Sequence, residues 1–283
     1  MAGHLKSDTY GKHRVRVSKV RRARQAPPAE ERHEFVEASV NVELQGDFSA
    51  AFTDGDNRSV VATDTCKNTV YVLAKDDPLD SIESFGLAIA RHFIDRYDHV
   101  SGCRVALEER VWDRLDDSPH GFTARGAMTP TAEVVFPRGK SPVVTAGLEH
   151  LLIAKTTESG FTDFHRDEFR TLADTDDRIL ATELSASWRY GATEIDFAES
   201  REAILSAMLT VFLDHYSRSV QETLYRMAQA ALDACVSADE ITLTMPNKHH
   251  IAANLDPFDR KNENEVFVAT DEPFGYITAT VAR

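Results

Sequence analysis

Residues 242–250, "TLTMPNKHH", end an apolar alternation in two groups that can handle protons and polar ligands. Ile241, Leu243 and Met245 alternate with Thr242 and Thr244, and side chains two apart share one face of a strand. Counting on through Pro246 puts Asn247 and His249 on that same face. Two readings are open. The strand frays at Pro246, where polar residues meet water, or the amide and imidazole wall a cavity floored by Met245. His249 and His250 fall on opposite faces of a strand, which does not suit a two-histidine metal chelate.

Four other stretches carry comparable groups. In "SVQETLY", Ser219 and Glu222 form an S-x-x-E capping box, with Val220 and Gln221 in the first helical turn. Free backbone N–H groups and the positive end of the helix dipole favour an anion there. The bland reading is a structural cap with an exposed glutamine. In "VVATDTCKN", Thr63, Asp64 and Thr65 are capping types after an apolar run, so a second helix start is expected. In "YGKHRV", Lys12 stands at the mouth of a strand, where a solvated charge is the ordinary outcome. The polar connection 159–180 holds Phe161, Phe164 and Phe169, and Arg178 where a strand resumes. Aromatics there serve to pin the connection to the core; an arginine there can fork onto a planar anion.

The elements that must hold these groups follow from periodicity. "HRVRVSKV" reads as a strand. "FVEASVNVEL" is a half-buried one, with Val36, Ala38, Val40, Val42 and Leu44 alternating with polar residues. The charged, proline-containing stretch 21–33 between them reads as an exposed loop. "TDTCKNTVYVLAK" and "SIESFGLAIARHFIDRY" read as helices, the second through Ile82, Phe85, Ile89, Phe93 and Tyr97. "CRVALEERVW" and "GFTARGAMTPTAEVVF" return to strands. The order then repeats. "VVTAGLEHLLIAK" and "LATELSASWRY" are strands. "REAILSAMLTVFLDHY" is a helix with Ile204, Leu205, Met208, Leu209, Phe212 and Leu213 on one side. "SVQETLYRMAQAALDAC" is a helix, and the chain closes with strands. Two strand-strand-helix-helix-strand-strand modules, 10–138 and 141–283, make an α+β protein with helices on one face of antiparallel sheets. Unpaired sheet edges favour an oligomer, with a barrel shared by subunits.

The 283 residues, 42% hydrophobic and 28% charged, have the balance of a soluble globular protein. A net charge of −14 argues against a general nucleic-acid binder. Cys66, Cys103 and Cys235 form no CxxC pair and read as idle thiols in a reducing compartment. No apolar run spans a membrane. The basic N-terminus lacks a signal-peptide core, and "TVAR" is not the "SKL" address, so the cytoplasm is expected.

Taken together, "YGKHRVRVSKV", "VVATDTCKNTVYVLAK", "FHRDEFRTL…DRILATELSASWRY", "SVQETLYRMA" and "LTMPNKHH" resemble the urate oxidase (uricase) family, in family order over nearly the whole chain. The resemblance implies a tunnelling fold: a homotetramer whose barrel encloses a central tunnel and whose active sites lie between subunits. Lys12, Thr63 and Asp64 would come from one chain, and Phe161, Arg178, Val220, Gln221, Asn247 and His249 from its neighbour. The implied reaction turns urate, dioxygen and water into 5-hydroxyisourate and hydrogen peroxide, with no metal and no organic cofactor.

In that site Arg178 would fork onto urate, Gln221 would pair with the opposite edge, and the N–H groups of Val220 and Asp64 would donate to urate oxygens. Phe161, rather than Phe164, would stack on the ring. Asn247 and Thr63 would hold dioxygen. Lys12 would take a proton through Thr63, with His249 continuing the relay; a lysine accepts a proton only when neutral, which desolvation favours. The family usually has glycine where Asp163 stands, and the 21–33 loop is longer than usual and expected to have no catalytic role. The alternatives are a related enzyme acting on a pterin or purine-like ring, whose sites carry an anchoring glutamate, and a non-catalytic ligand-binding oligomer, which would need no base.

Overall fold

The computed structural model describes residues 3–22 and 31–283. Residues 23–30 of the expected long loop lie outside the described residues. Two compact units divide the chain: residues up to Gly147 with Arg189–Ala198, and Leu148–Trp188 with Glu199–Arg283.

In the first unit, β1 (Tyr10–Arg21) and β2 (Glu34–Gly46) are followed by α1 (Ser49–Thr53), α2 (Thr63–Asp76) and α3 (Ile82–Arg96). Then come β3 (Val100–Arg110), the short pair β4 (Trp112–Arg114) and β5 (Phe122–Ala124), and β6 (Thr129–Pro137). The order β1-β2-β3-β6 is antiparallel throughout, with Val40 opposite Leu107 and Val105 opposite Val134. Alternation decides which face is covered. Ala38, Val40, Val42 and Leu44 are buried, whereas the intervening Ser39, Asn41 and Glu43 are half-buried. Val36, expected in the stripe, is only half-buried near the strand's start. α3 follows its 3.6-residue stripe, with Phe85, Ile89 and Phe93 fully buried. Its start is fixed by Ser81, whose Oγ accepts from Ser84 N at 3.0 Å. Gly86 lets it sit close to the sheet: a Cβ there would stand 2.9 Å from Leu107 Cδ1 and 3.0 Å from Val134 Cγ2.

The second unit holds most of β7 (Val143–Lys155), β8 (Leu180–Tyr190) and α4 (Phe197–Asp214), and all of α5 (Val220–Ala234), β9 (Ala238–Thr244), β10 (Asn247–Ala252), β11 (Phe267–Gly275) and β12 (Thr278–Ala282). β8 runs beside β10, β10 beside β11, and β9 beside β12, all antiparallel. α5 packs on β9 and β12. The expected module order is present in both units, enlarged by α1 and the β4–β5 pair in the first and by β11 and β12 in the second.

Three expectations need correction. Residues 241–249 are not one strand. β9 ends at Thr244 and β10 starts at Asn247; β8 borders both, β12 gives way to β11 on the other side, and Met245 N donates to Ile277 O at 2.8 Å across the gap. The register is nevertheless continuous through Pro246, Thr244 opposite Thr278 and Asn247 opposite Gly275, so the odd-residue count carries to Asn247, and the ladder shifts only between Asn247 and His249. The stretch 121–136 is likewise broken, between β5 and β6. On α4 the buried stripe is Ile204, Met208 and Phe212; Leu205 and Leu209 are half-buried and Leu213 is 64% exposed.

The cysteines are free and buried. Burial pushes the Cys66 thiol up to about 11 and that of Cys103 up to about 12. Among the described residues, no helix is long and apolar enough to cross a membrane. Phe93→Ala, which empties a fully buried aromatic site, should cost about 3–5 kcal/mol in urea unfolding.

Candidate active site

The first unit brings Lys12, Thr63 and Asp64 together around the start of α2. Lys12 pairs opposite Val42, and a bulge separates it from Val15. Arg14 closes the bulge with φ 56, its N–H donating to Asn41 Oδ1 at 2.7 Å. Gly11 is required beside it, since a Cβ there would collide with Val42 O. The Lys12 charge adds to the lowering of the Asp64 carboxyl that Lys67 leads and offsets a small part of the burial that raises the Cys66 thiol, which places the ammonium near the first turn of α2. Among the described residues no carboxylate pairs with Lys12.

α2 begins at Thr63, as expected, but its N-cap is Ala62, and no side chain caps it. The hydroxyls of Thr63 and Thr65 therefore do not play the capping role their types suggested. The Asp64 carboxylate folds back onto its own helix, accepting from Lys67 Nζ at 2.5 Å and Asn68 Nδ2 at 2.9 Å. Lys67 holds its pKa below the ordinary value. The first N–H groups of the helix are left without a side-chain acceptor, an arrangement that receives an anion. Tyr10 escaped the sequence reading. Its phenol oxygen accepts from Val61 N at 2.7 Å and ties the approach of α2 to β1.

The second unit brings Phe161, Arg178, Val220 and Gln221 together. Arg178 N donates to Ser159 O at 2.9 Å, Phe161 and Thr175 exchange two backbone hydrogen bonds, and Gly160 N donates to Ser217 O at 2.8 Å. Ser217 leads into α5, whose N-cap Ser219 accepts from Glu222 N at 3.1 Å. Only this half of the capping box forms. Glu222 reaches one residue further back, to Arg218 N at 3.2 Å and to the Arg218 and Arg226 guanidinium groups. The hydrogen bond from Arg218 leads in holding the Glu222 carboxyl at about 2, below its ordinary 4.5. Val220 is buried and Gln221 exposed on the first turn.

The Arg178 guanidinium stands over the Phe161 ring, 5.4 Å from its centroid. Burial lowers its pKa. Its Nε is buried with no hydrogen-bond partner, and among the described residues it has no ion pair. Phe164 stacks on Phe161 at 4.7 Å and 7°, with the Arg170 guanidinium over Phe164 in turn. Phe169 is 84% exposed and does not pin the connection. Asp163 has φ 55, a conformation glycine adopts freely and aspartate tolerates, so glycine at this position has a backbone reason.

Asn247 and His249 lie on β10, half-buried, Asn247 opposite Thr182 and His249 opposite Thr270, with a bulge between them. Lys248 between them pairs with Glu183 at 3.0 Å.

The model of the family described as Uricase matches residues 8–135 and 144–278. The chain belongs to the uricase family. It is 42% identical over 279 residues to uricase from Arthrobacter globiformis, covering 99% of this chain and 90% of that one. It is 37% identical over 285 residues to uricase from Dictyostelium discoideum, covering 99% and 97%. The solved uricase structure from Arthrobacter globiformis superposes with a TM-score of 0.93 at 41% identity, covering 100% of this chain and 96% of that chain. The α+β fold with tandem antiparallel modules is that of uricases.

Two outcomes check the second half-site. Ser219→Ala should cost about 1 kcal/mol of stability. Because the Glu222 carboxyl is depressed when folded, its contribution is full above about pH 4.5 and is lost as pH falls toward 2. Glu222→Gln should flatten that acid limb in unfolding measured against pH.

Proposed function

We propose that the two half-sites, one from each of two neighbouring chains, complete a single urate-oxidising site. The protein is an oxidoreductase of the uricase family. It converts urate, dioxygen and water to 5-hydroxyisourate and hydrogen peroxide. Urate gives up two electrons, dioxygen takes them with two protons to become peroxide, and the oxygen of water bonds to the ring. In this reading no metal or organic cofactor takes part, the protein works as a homotetramer in the cytoplasm, and neither nucleic acid nor a membrane is a partner.

The observation that carries the reading is Arg178. A half-buried guanidinium with an unpaired Nε, over an aromatic ring and beside a capped helix start, suits a flat anion. Gln221 supplies a donor and an acceptor to the opposite edge of urate, and Val220 N–H donates to an oxygen. Phe161 stacks on the ring. From the neighbouring chain Asp64 N–H adds a donor at the uncapped start of α2. Thr63 and Asn247 hold dioxygen or the water that replaces it. Lys12, free of any carboxylate partner among the described residues, takes the urate proton through Thr63, and His249 extends the relay.

The oligomeric barrel is supported by the sheet face opposite the helices of the first unit. It carries charge rather than apolar cover: Arg16 and Arg110 meet at Glu37, and Arg104 bridges Glu43 and Glu133. Such a face suits a water-filled tunnel. A pterin enzyme of this fold would anchor its ring with a glutamate. Glu222 beside the anchor is instead committed to Arg218 and Arg226.

Purified protein in air, with a chelator present, should remove the ultraviolet absorbance of urate and release peroxide in equal amounts. Urate loss without peroxide, or neither signal, would refute the reading. Lys12→Met should lower turnover by about 10²–10⁴-fold while urate still binds. Arg178→Gln should act first on KM.

A further inference from the structure

Tyr216 lies between α4 and α5 and belongs to none of the groups assigned above. Its phenol donates to Asp176 O at 2.6 Å. Its neighbour Ser217 accepts from Gly160 N at 2.8 Å and donates to Glu158 O at 2.9 Å. The ring reaches the turn before Arg178 by crossing Gly160. A Cβ at position 160 would collide with the Tyr216 hydroxyl and stand 2.9 Å from Thr175 O. The phenol is also close enough to Arg178 to bear on its protonation. Tyr216 remains 42% exposed, so it is not a packing residue of the core.

We propose that Tyr216 is a positioning residue for the Arg178 anchor. Its hydroxyl, bonded to Asp176 O, fixes the turn 175–178 relative to the first turn of α5. That sets the gap between the guanidinium fork and the Val220–Gln221 edge, the two sides from which a flat anion is gripped. The inference rests on the urate reading of this site. Losing the hydroxyl frees the turn, so binding weakens, while the chemistry of bound urate, which depends on Lys12 and Thr63, is unaffected.

The test is Tyr216→Phe in the full chain, which removes one oxygen and keeps the ring. KM for urate should rise about five-fold, the usual effect of one lost hydrogen bond, with kcat within about two-fold. Urate titrated without oxygen should show the same weakening, at unchanged melting temperature and oligomeric size. Gly160→Ala should weaken urate binding severely, and adding Tyr216→Phe should restore part of it by removing the colliding atom. An unchanged KM, a fall confined to kcat, or equal damage from Gly160→Ala in both backgrounds would overturn the proposal. Inactivity of the unaltered protein toward urate would sink the functional reading itself, before any variant is compared.

Discussion

Four backbone hydrogen bonds around Gly160 hold the candidate-site part of the second unit in place. Gly160 binds Ser217, Ser159 receives Arg178, and Phe161 pairs with Thr175. Together they stitch the connection after β7, the lead into β8 and the lead into α5. None of these segments is regular structure, and each alone would wander. Joined, they hold an aromatic face, a guanidinium and a helix start with the fixed spacing that a rigid planar ligand needs. Because a glycine permits the close approach, the geometry rests on a missing side chain as much as on those present.

The two helix starts solve the same problem in opposite ways. α5 is capped by Ser219, and its acidic Glu222 is drawn back to Arg218 and Arg226. α2 is capped by no side chain, and its acidic Asp64 is drawn forward to Lys67 and Asn68. In both, the carboxylate nearest the anion-receiving N–H groups is occupied by cations or amides of the same chain. A protein of net charge −14 that binds an anion has reason to keep those carboxylates engaged.

Much of this was legible in the sequence where period and cap agree. β2 alternates as read, α3 starts at Ser81 and buries the expected phenylalanines, and α5 follows Ser219. The site residues were nominated by the family resemblance, since spacing alone left each with an ordinary explanation. What spacing missed depends on partners distant in the chain. The register shift after Asn247 is set against β11, the place of α2 by Tyr10, and the turn before Arg178 by Tyr216. The exposure of Leu213 shows that an apolar residue at helical spacing need not be core.

Two of the three buried cysteines acquire a meaning from the reaction. Every turnover of urate leaves a molecule of oxidant inside the protein that made it. Peroxide attacks the thiolate form of cysteine, and does so where solvent can reach it. Cys66, one helical turn from Thr63, and Cys103 are both enclosed, with their thiols held far on the protonated side of neutrality. Burial thus makes these two thiols poor targets for the product that forms beside them.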